Sequence, residues 1–143
     1  MILEREEIQV DLPWIEDPRW MEPPNRMLVY ISGPMTGREN FNAPAFENAR
    51  IIAEAMSYDV IVPGDGEEHT KWELTHQRVT DEHMQEYIRR DITDILKVDE
   101  LWVLEGWKGS FGSRLEVLVA KSIGVPVYHL DGTEVFSTVG TSA

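Results

Sequence analysis

Two carboxylates stand where a folded chain would ordinarily place apolar side chains. Asp91 lies three residues after Ile88, one before Ile92 and four before Ile95, so helical spacing puts it on the inward face of its segment. Glu116 repeats the pattern, sharing a helical face with Gly112, Val119, Ala120 and Ile123. Burying a bare charge is costly, so each acid must be paired, hydrogen-bonded or functional. Two inward acids on two separate helices can divide the labour of displacement at an anomeric carbon: one attacks while the second handles the proton. Glu116 is expected to be the ionised nucleophile, because the first turn of a helix stabilises negative charge. The structural alternative is that Glu116 caps backbone N–H groups and Asp91 meets an arginine.

Small-residue loops precede both features that such chemistry needs. Gly109-Ser110-Phe111-Gly112-Ser113-Arg114-Leu115-Glu116 follows a strand-like run and opens a helix-like one, and Tyr30-Ile31-Ser32-Gly33-Pro34-Met35-Thr36-Gly37 follows an earlier strand. Backbone N–H groups in such loops can face an anion. Neither loop matches the dinucleotide fingerprint or the phosphate loop ending in Gly-Lys-Ser/Thr, which disfavours cofactors of those kinds. Trp107 is a candidate for stacking on a base. His69, His76 and His83 recur every seven residues, which fits a polar helix face better than a zinc site.

The elements that must position these residues alternate. Apolar runs at 27–32, 59–62, 100–104 and 125–129 read as buried strands. Residues 44–56, 81–97 and 113–123 read as helices, with Asp81 as an N-cap and Gly124 as a C-terminal glycine. Residues 64–80, which include Asp65, Glu67, Glu68 and Lys71, read as a long loop that could hold one turn of helix. The alternation predicts an α/β fold, a flavodoxin-like or Rossmann-like parallel sheet of four to five strands with helices on both faces. Ligands in such sheets bind beyond the carboxyl ends of the strands, where both loops fall. Residues 1–26 hold prolines and tryptophans without period and read as an extended arm, lying on the domain or on a neighbouring subunit, or else disordered. Residues 27–130 form the domain, and 131–143 add an edge strand near 134–137 and a tail.

Composition narrows the function. A formal net charge of −13 over 143 residues argues against a nucleic acid polymer as partner. Cysteine is absent, which removes thiolate chemistry and Cys-bound metals. No apolar run is long enough to span a membrane, and the acidic N-terminus is unlike a signal peptide, so a cytoplasmic protein is expected.

With these residues together, the chain resembles the nucleoside 2-deoxyribosyltransferase-like superfamily, closest to the small Y-I-S-G-P-M-T-G proteins often found in phages, for which the compartment would be the host cytoplasm. Tyr30–Gly37, the Arg90-Asp91 helix leading into Val98-Asp99, and Gly106–Glu116 carry the resemblance. It implies that Glu116 forms a covalent 2-deoxyribosyl intermediate and that Asp91 assists the leaving base and contacts the sugar. Six residues before the glutamate, transferases acting on free nucleosides have an aspartate, whereas 2′-deoxynucleoside 5′-monophosphate N-hydrolases have a serine; this chain has Ser110. A serine donates to phosphate oxygens where an aspartate would repel them. The hydrolases carry a tyrosine where this chain has Phe46; Asn40 or Asn42 could supply the missing polar contact, the alternative for either being a loop or N-cap role. The resemblance implies a nucleotide substrate bound by Tyr30, Ser32, Gly33, Pro34, Met35, Asn42, Phe46, Trp107, Ser110, Gly112 and Ser113, with Arg114 either assisting or facing solvent. It implies no metal or organic cofactor, and a homodimer or higher homo-oligomer. The expected reaction is hydrolysis of the N-glycosidic bond of a 2′-deoxynucleoside 5′-monophosphate. The alternatives are a deoxyribosyltransferase, a non-catalytic nucleotide binder and a purely structural or interaction protein.

Overall fold

The structure, a computed structural model, describes residues 26–64 and 68–136. The expected arm before residue 26, Asp65 and Glu67, and the end of the tail from 137 lie outside the described residues. Four strands, β1 (Leu28–Ser32), β2 (Asp59–Ile61), β3 (Glu100–Val103) and β4 (Val127–His129), form one all-parallel sheet in the order β2-β1-β3-β4. Its helices are α1 (Ala43–Ala55), α2 (Lys71–His76), α3 (Asp81–Ile95) and α4 (Phe111–Ser122).

The two inner strands, β1 and β3, are buried from both sides, and their alternation assigns side chains to two cores. Val29, Ile31, Trp102 and Leu104 pack with Phe46, Ala49 and Ala53 of α1 on one face. Tyr30, Leu101, Val103 and Val127 pack with Ile95 of α3 and Val117 and Ala120 of α4 on the other. Successive strand residues point to opposite faces, so Ser32 must follow Tyr30 toward α4. The register pairs Ser32 with Val103. Chain direction across the sheet reverses between β1 and β3, which opens a crevice at their carboxyl ends. Gly33 seals the start of that crevice: a Cβ there would come within 2.8 Å of the Leu104 side chain, so only glycine lets the loop leave β1 this closely.

Three local expectations are corrected. The segment 64–80 holds a helix, α2, begun by a reciprocal cap in which the Thr70 hydroxyl accepts from Glu73 N–H and the Glu73 carboxylate accepts from Thr70 N–H. Thr80, not Asp81, caps α3, its hydroxyl accepting from His83 N–H. The expected edge strand reduces to one antiparallel bridge between Tyr128 and Glu134. Among the described residues, no helix is long and apolar enough to cross a membrane.

Candidate functional site

The crevice is a cleft with two unlike halves. Gly33, Met35, Ser110, Gly112, Ser113, Asp91 and Glu116 all line it, and so do Val79, Met84, Tyr87, Ile88 and His69. Asp91 comes from α3 and Glu116 from α4, two helices packed side by side on the same sheet face. Tyr30 and Ser32 lie beneath them. The Tyr30 hydroxyl donates to Glu116 Oε2 at 2.9 Å and the Ser32 hydroxyl donates to Oε1 at 2.7 Å. Both carboxylate oxygens are thus gripped by the strand, which fixes the plane of the acid.

The electrostatics correct one expectation. Glu116 is the sixth residue of α4, in its second turn and past the first turn in which the helix dipole acts on a charge. Burial pushes its carboxyl up to about 8, and the Asp91 charge adds to this; the Ser32 and Tyr30 hydroxyls pull the other way without winning. Burial likewise raises Asp91 to about 6, against the nearby Arg90 guanidinium, whose Nη2 stands 3.8 Å from Asp91 Oδ1. The acids perturb each other, so their protons belong to the pair. Near neutrality the pair holds one proton: one member is an acid and the other a carboxylate. Burial also holds the Tyr30 phenol well above its ordinary value, so it stays a donor.

Three polar atoms of residues that line this cleft, His69 Nδ1, Asp91 Oδ1 and Ser113 Oγ, are buried and find no hydrogen-bond partner among the described residues. Buried polar atoms normally have partners, so each has capacity for a further hydrogen bond. Ser110 caps α4, its hydroxyl accepting from Ser113 N–H at 3.2 Å. That leaves the Ser110 proton, the Ser113 hydroxyl and the first N–H groups of α4 facing the same end of the cleft, a cradle for an anion.

Several expected contacts lie elsewhere. Phe46 is buried in the α1 core and borders a different cavity, because helical period turns it onto the sheet. The Asn42 amide donates to the Pro34 carbonyl at 2.9 Å and fastens the loop; Pro34 itself is buried outside the cleft lining. Asn40 and Asn42 both have positive φ, 52° and 65°, and serve the turn that leads into α1. Trp107 packs against the β3–β4 core and borders a groove with His129 and Leu130. Arg114 is exposed and donates to the Lys108 carbonyl at 2.8 Å, apart from the cleft.

Two features escaped sequence reading. Tyr30 is expected as a substrate-binding residue, and the structure instead gives its hydroxyl to Glu116, a bond that follows from the two-residue period it shares with Ser32. His69 and His83 both face Glu73, at 3.5 and 2.8 Å, whereas His76 turns to the Trp72 carbonyl. The Thr70-x-x-Glu73 spacing was the signal for that hub. Burial pushes the Glu73 carboxyl up, but hydrogen bonds from Thr80 and Thr70 N–H and from His83 outweigh it and hold the group at about 2, so it is ionised.

Comparison with known proteins agrees with this architecture without adding an activity. A conserved protein from Enterococcus faecalis V583, known from its crystal structure, superimposes with a TM-score of 0.51 at 23% identity, over 72% of this chain. This chain matches 62% of that protein's length, and the likeness is one of fold. No curated protein matches the sequence. Residues 27–129 match the family described as Domain of unknown function (DUF4406), a span holding every residue of the cleft, and the chain belongs to that family.

Proposed function

We propose that the protein hydrolyses the N-glycosidic bond of 2′-deoxynucleoside 5′-monophosphates, as the resemblance to the nucleoside 2-deoxyribosyltransferase-like superfamily implies. One observation carries the reading: a buried and a partly buried acid on neighbouring helices share a cleft that also holds Ser110 and Ser113 at a helix N-terminus. The reaction runs through the less populated arrangement of the shared proton, with Glu116 the carboxylate and Asp91 the acid, the reverse of the order in which burial raises the two groups. Glu116 attacks C1′, the C1′–N bond breaks, and the base leaves with the Asp91 proton. Water then attacks C1′ of the glycosyl ester, Asp91 accepts its proton, and Glu116 is released with 2-deoxyribose 5-phosphate. Tyr30 and Ser32 hold Glu116 in plane for the attack and stabilise its charge. Ser110, Ser113 and the α4 N–H groups receive the 5′-phosphate, which the overall charge of −13 would otherwise repel.

The test is incubation with each of the four deoxynucleoside monophosphates and chromatography for free base and 2-deoxyribose 5-phosphate. Base transferred onto an added second base would make the protein a transferase. Unchanged nucleotide together with a raised Tm would make it a binder.

We also propose a homo-oligomer. Phe111 and Leu118, seven residues apart on α4, are 63% and 60% exposed, an apolar stripe beside the cleft. A second copy covering that stripe would change mass on light scattering, and F111E/L118E would return the monomer. A monomeric wild type would refute this.

A further inference from the structure

The cleft is too small by itself for the whole substrate, and His69 lines both it and the cavity next to it. About 90 Å³ is enclosed beside the acids, whereas sites for small molecules occupy roughly 300 Å³ or more. A second cavity of about 280 Å³ lies across the same wall, sharing Met35, Pro63, Gly64 and His69 with the first. His69 lines both cavities, so a base that extends from the acids into the second cavity passes the wall that carries its ring. The surroundings of that ring are apolar and aromatic. It stacks on Phe41 with centroids 4.4 Å apart and meets Tyr87 edge-on at 5.9 Å, and the His69 side chain is only 12% exposed.

The ring is also oriented by charge. Its Nδ1 is buried 3.5 Å from Glu73 Oε1, too long for a strong hydrogen bond but close enough to decide which nitrogen carries the proton. A lone pair facing the ionised Glu73 carboxylate is repelled and an N–H attracted, so of the two neutral tautomers the one with the proton on Nδ1 is favoured. In that tautomer Nε2 is an acceptor. Glu73 is itself immobilised by Thr70 N–H, Thr80 N–H and His83 Nδ1.

We infer that His69 is the base-recognition residue of this site, accepting through Nε2 a hydrogen bond from an N–H donor of the nucleobase, with Glu73 as its positioning residue. This rests on the nucleotide reading of the cleft but not on turnover. The probe pair is a deoxynucleoside monophosphate and 2-deoxyribose 5-phosphate, which has the same sugar and phosphate and no base. His69→Phe keeps the stack on Phe41 and removes the acceptor; His69→Gln puts an amide oxygen near the position of Nε2. Circular dichroism confirms that each variant folds before binding is measured by calorimetry.

The expected result is about a tenfold or greater loss of nucleotide affinity in His69→Phe, with 2-deoxyribose 5-phosphate unchanged and His69→Gln within about threefold of wild type. Equal losses for both probes, or no loss for either, would overturn the inference. Base release measured alongside separates the two claims. Release by wild type with His69→Phe undiminished in affinity refutes the role of His69 alone. A His69-dependent affinity without any base release refutes hydrolysis and leaves His69 in place.

Discussion

The Tyr30 hydroxyl and the Glu116 carboxylate, 86 positions apart in sequence, meet in a hydrogen bond of 2.9 Å. The bond joins the central strand to the second turn of α4 and decides how Glu116 presents itself to the cleft. Removing the donor should therefore injure function more than folding. Tyr30→Phe leaves the ring packed and deprives a buried acid of one of its two hydroxyl partners, a loss of about 1–3 kcal/mol for the ionised form. We expect base release to fall by roughly 10–100-fold with Tm little changed, read from steady-state rates and thermal melts of the same samples.

How much of this was legible in the sequence divides along physical lines. The sheet, its helices and the inward placing of Asp91 and Glu116 follow from period alone, because burial on both faces leaves an acid at i, i+3, i+4 spacing nowhere else to go. The charge state of Glu116 did not follow. Ionisation was expected from helix position, but six residues into α4 the dipole has faded and desolvation dominates. Trp107 and Phe46 were misplaced for a different reason: an aromatic near a loop is equally suited to ligand and core, and only tertiary packing decides. Met84, Tyr87, Ile88 and Asp91 form one stripe on α3, and nothing in their spacing distinguishes a cleft wall from a core face.

The pH dependence follows from the shared proton. Below about 6 both acids are protonated and no carboxylate can attack; above about 8 both are ionised and no acid can protonate the departing base. A plot of kcat/KM against pH should be a bell confined between those limbs. A rate that keeps climbing above pH 9 would show that the pair does not act together.

Stability should fall as Glu116 loses its proton. Glu116 binds its proton more tightly in the folded chain than in the unfolded one, so the folded state loses stability as pH rises from the ordinary glutamate value toward about 8. Glu116→Gln removes that loss. Its Tm should exceed that of wild type by several degrees at pH 9 and by less at pH 5, measured by calorimetry across the range; equal differences at both values would contradict the burial argument.

Glu73 should behave in the reverse sense. Its carboxyl is held at about 2, so its contribution is complete above the unfolded glutamate value and disappears as pH falls toward 2. Glu73→Ala strands the Thr70 and Thr80 N–H groups and should cost about 2 kcal/mol or more at pH 7, with the difference from wild type shrinking in acid-unfolding curves.

At Gly33 the constraint is steric. A methyl group 2.8 Å from the buried Leu104 side chain forces the β1 loop outward. Gly33→Ala should destabilise by about 1–3 kcal/mol in urea melts. Pairing it with Leu104→Ala should recover part of that loss.

The sharpest check is base release by wild type and Glu116→Ala under single-turnover conditions, with each deoxynucleoside monophosphate in turn. Free base from wild type, with the variant slower by roughly a thousandfold or more, is the outcome expected. Release at equal rates from both proteins would remove Glu116 from the chemistry and the proposed glycosidase with it.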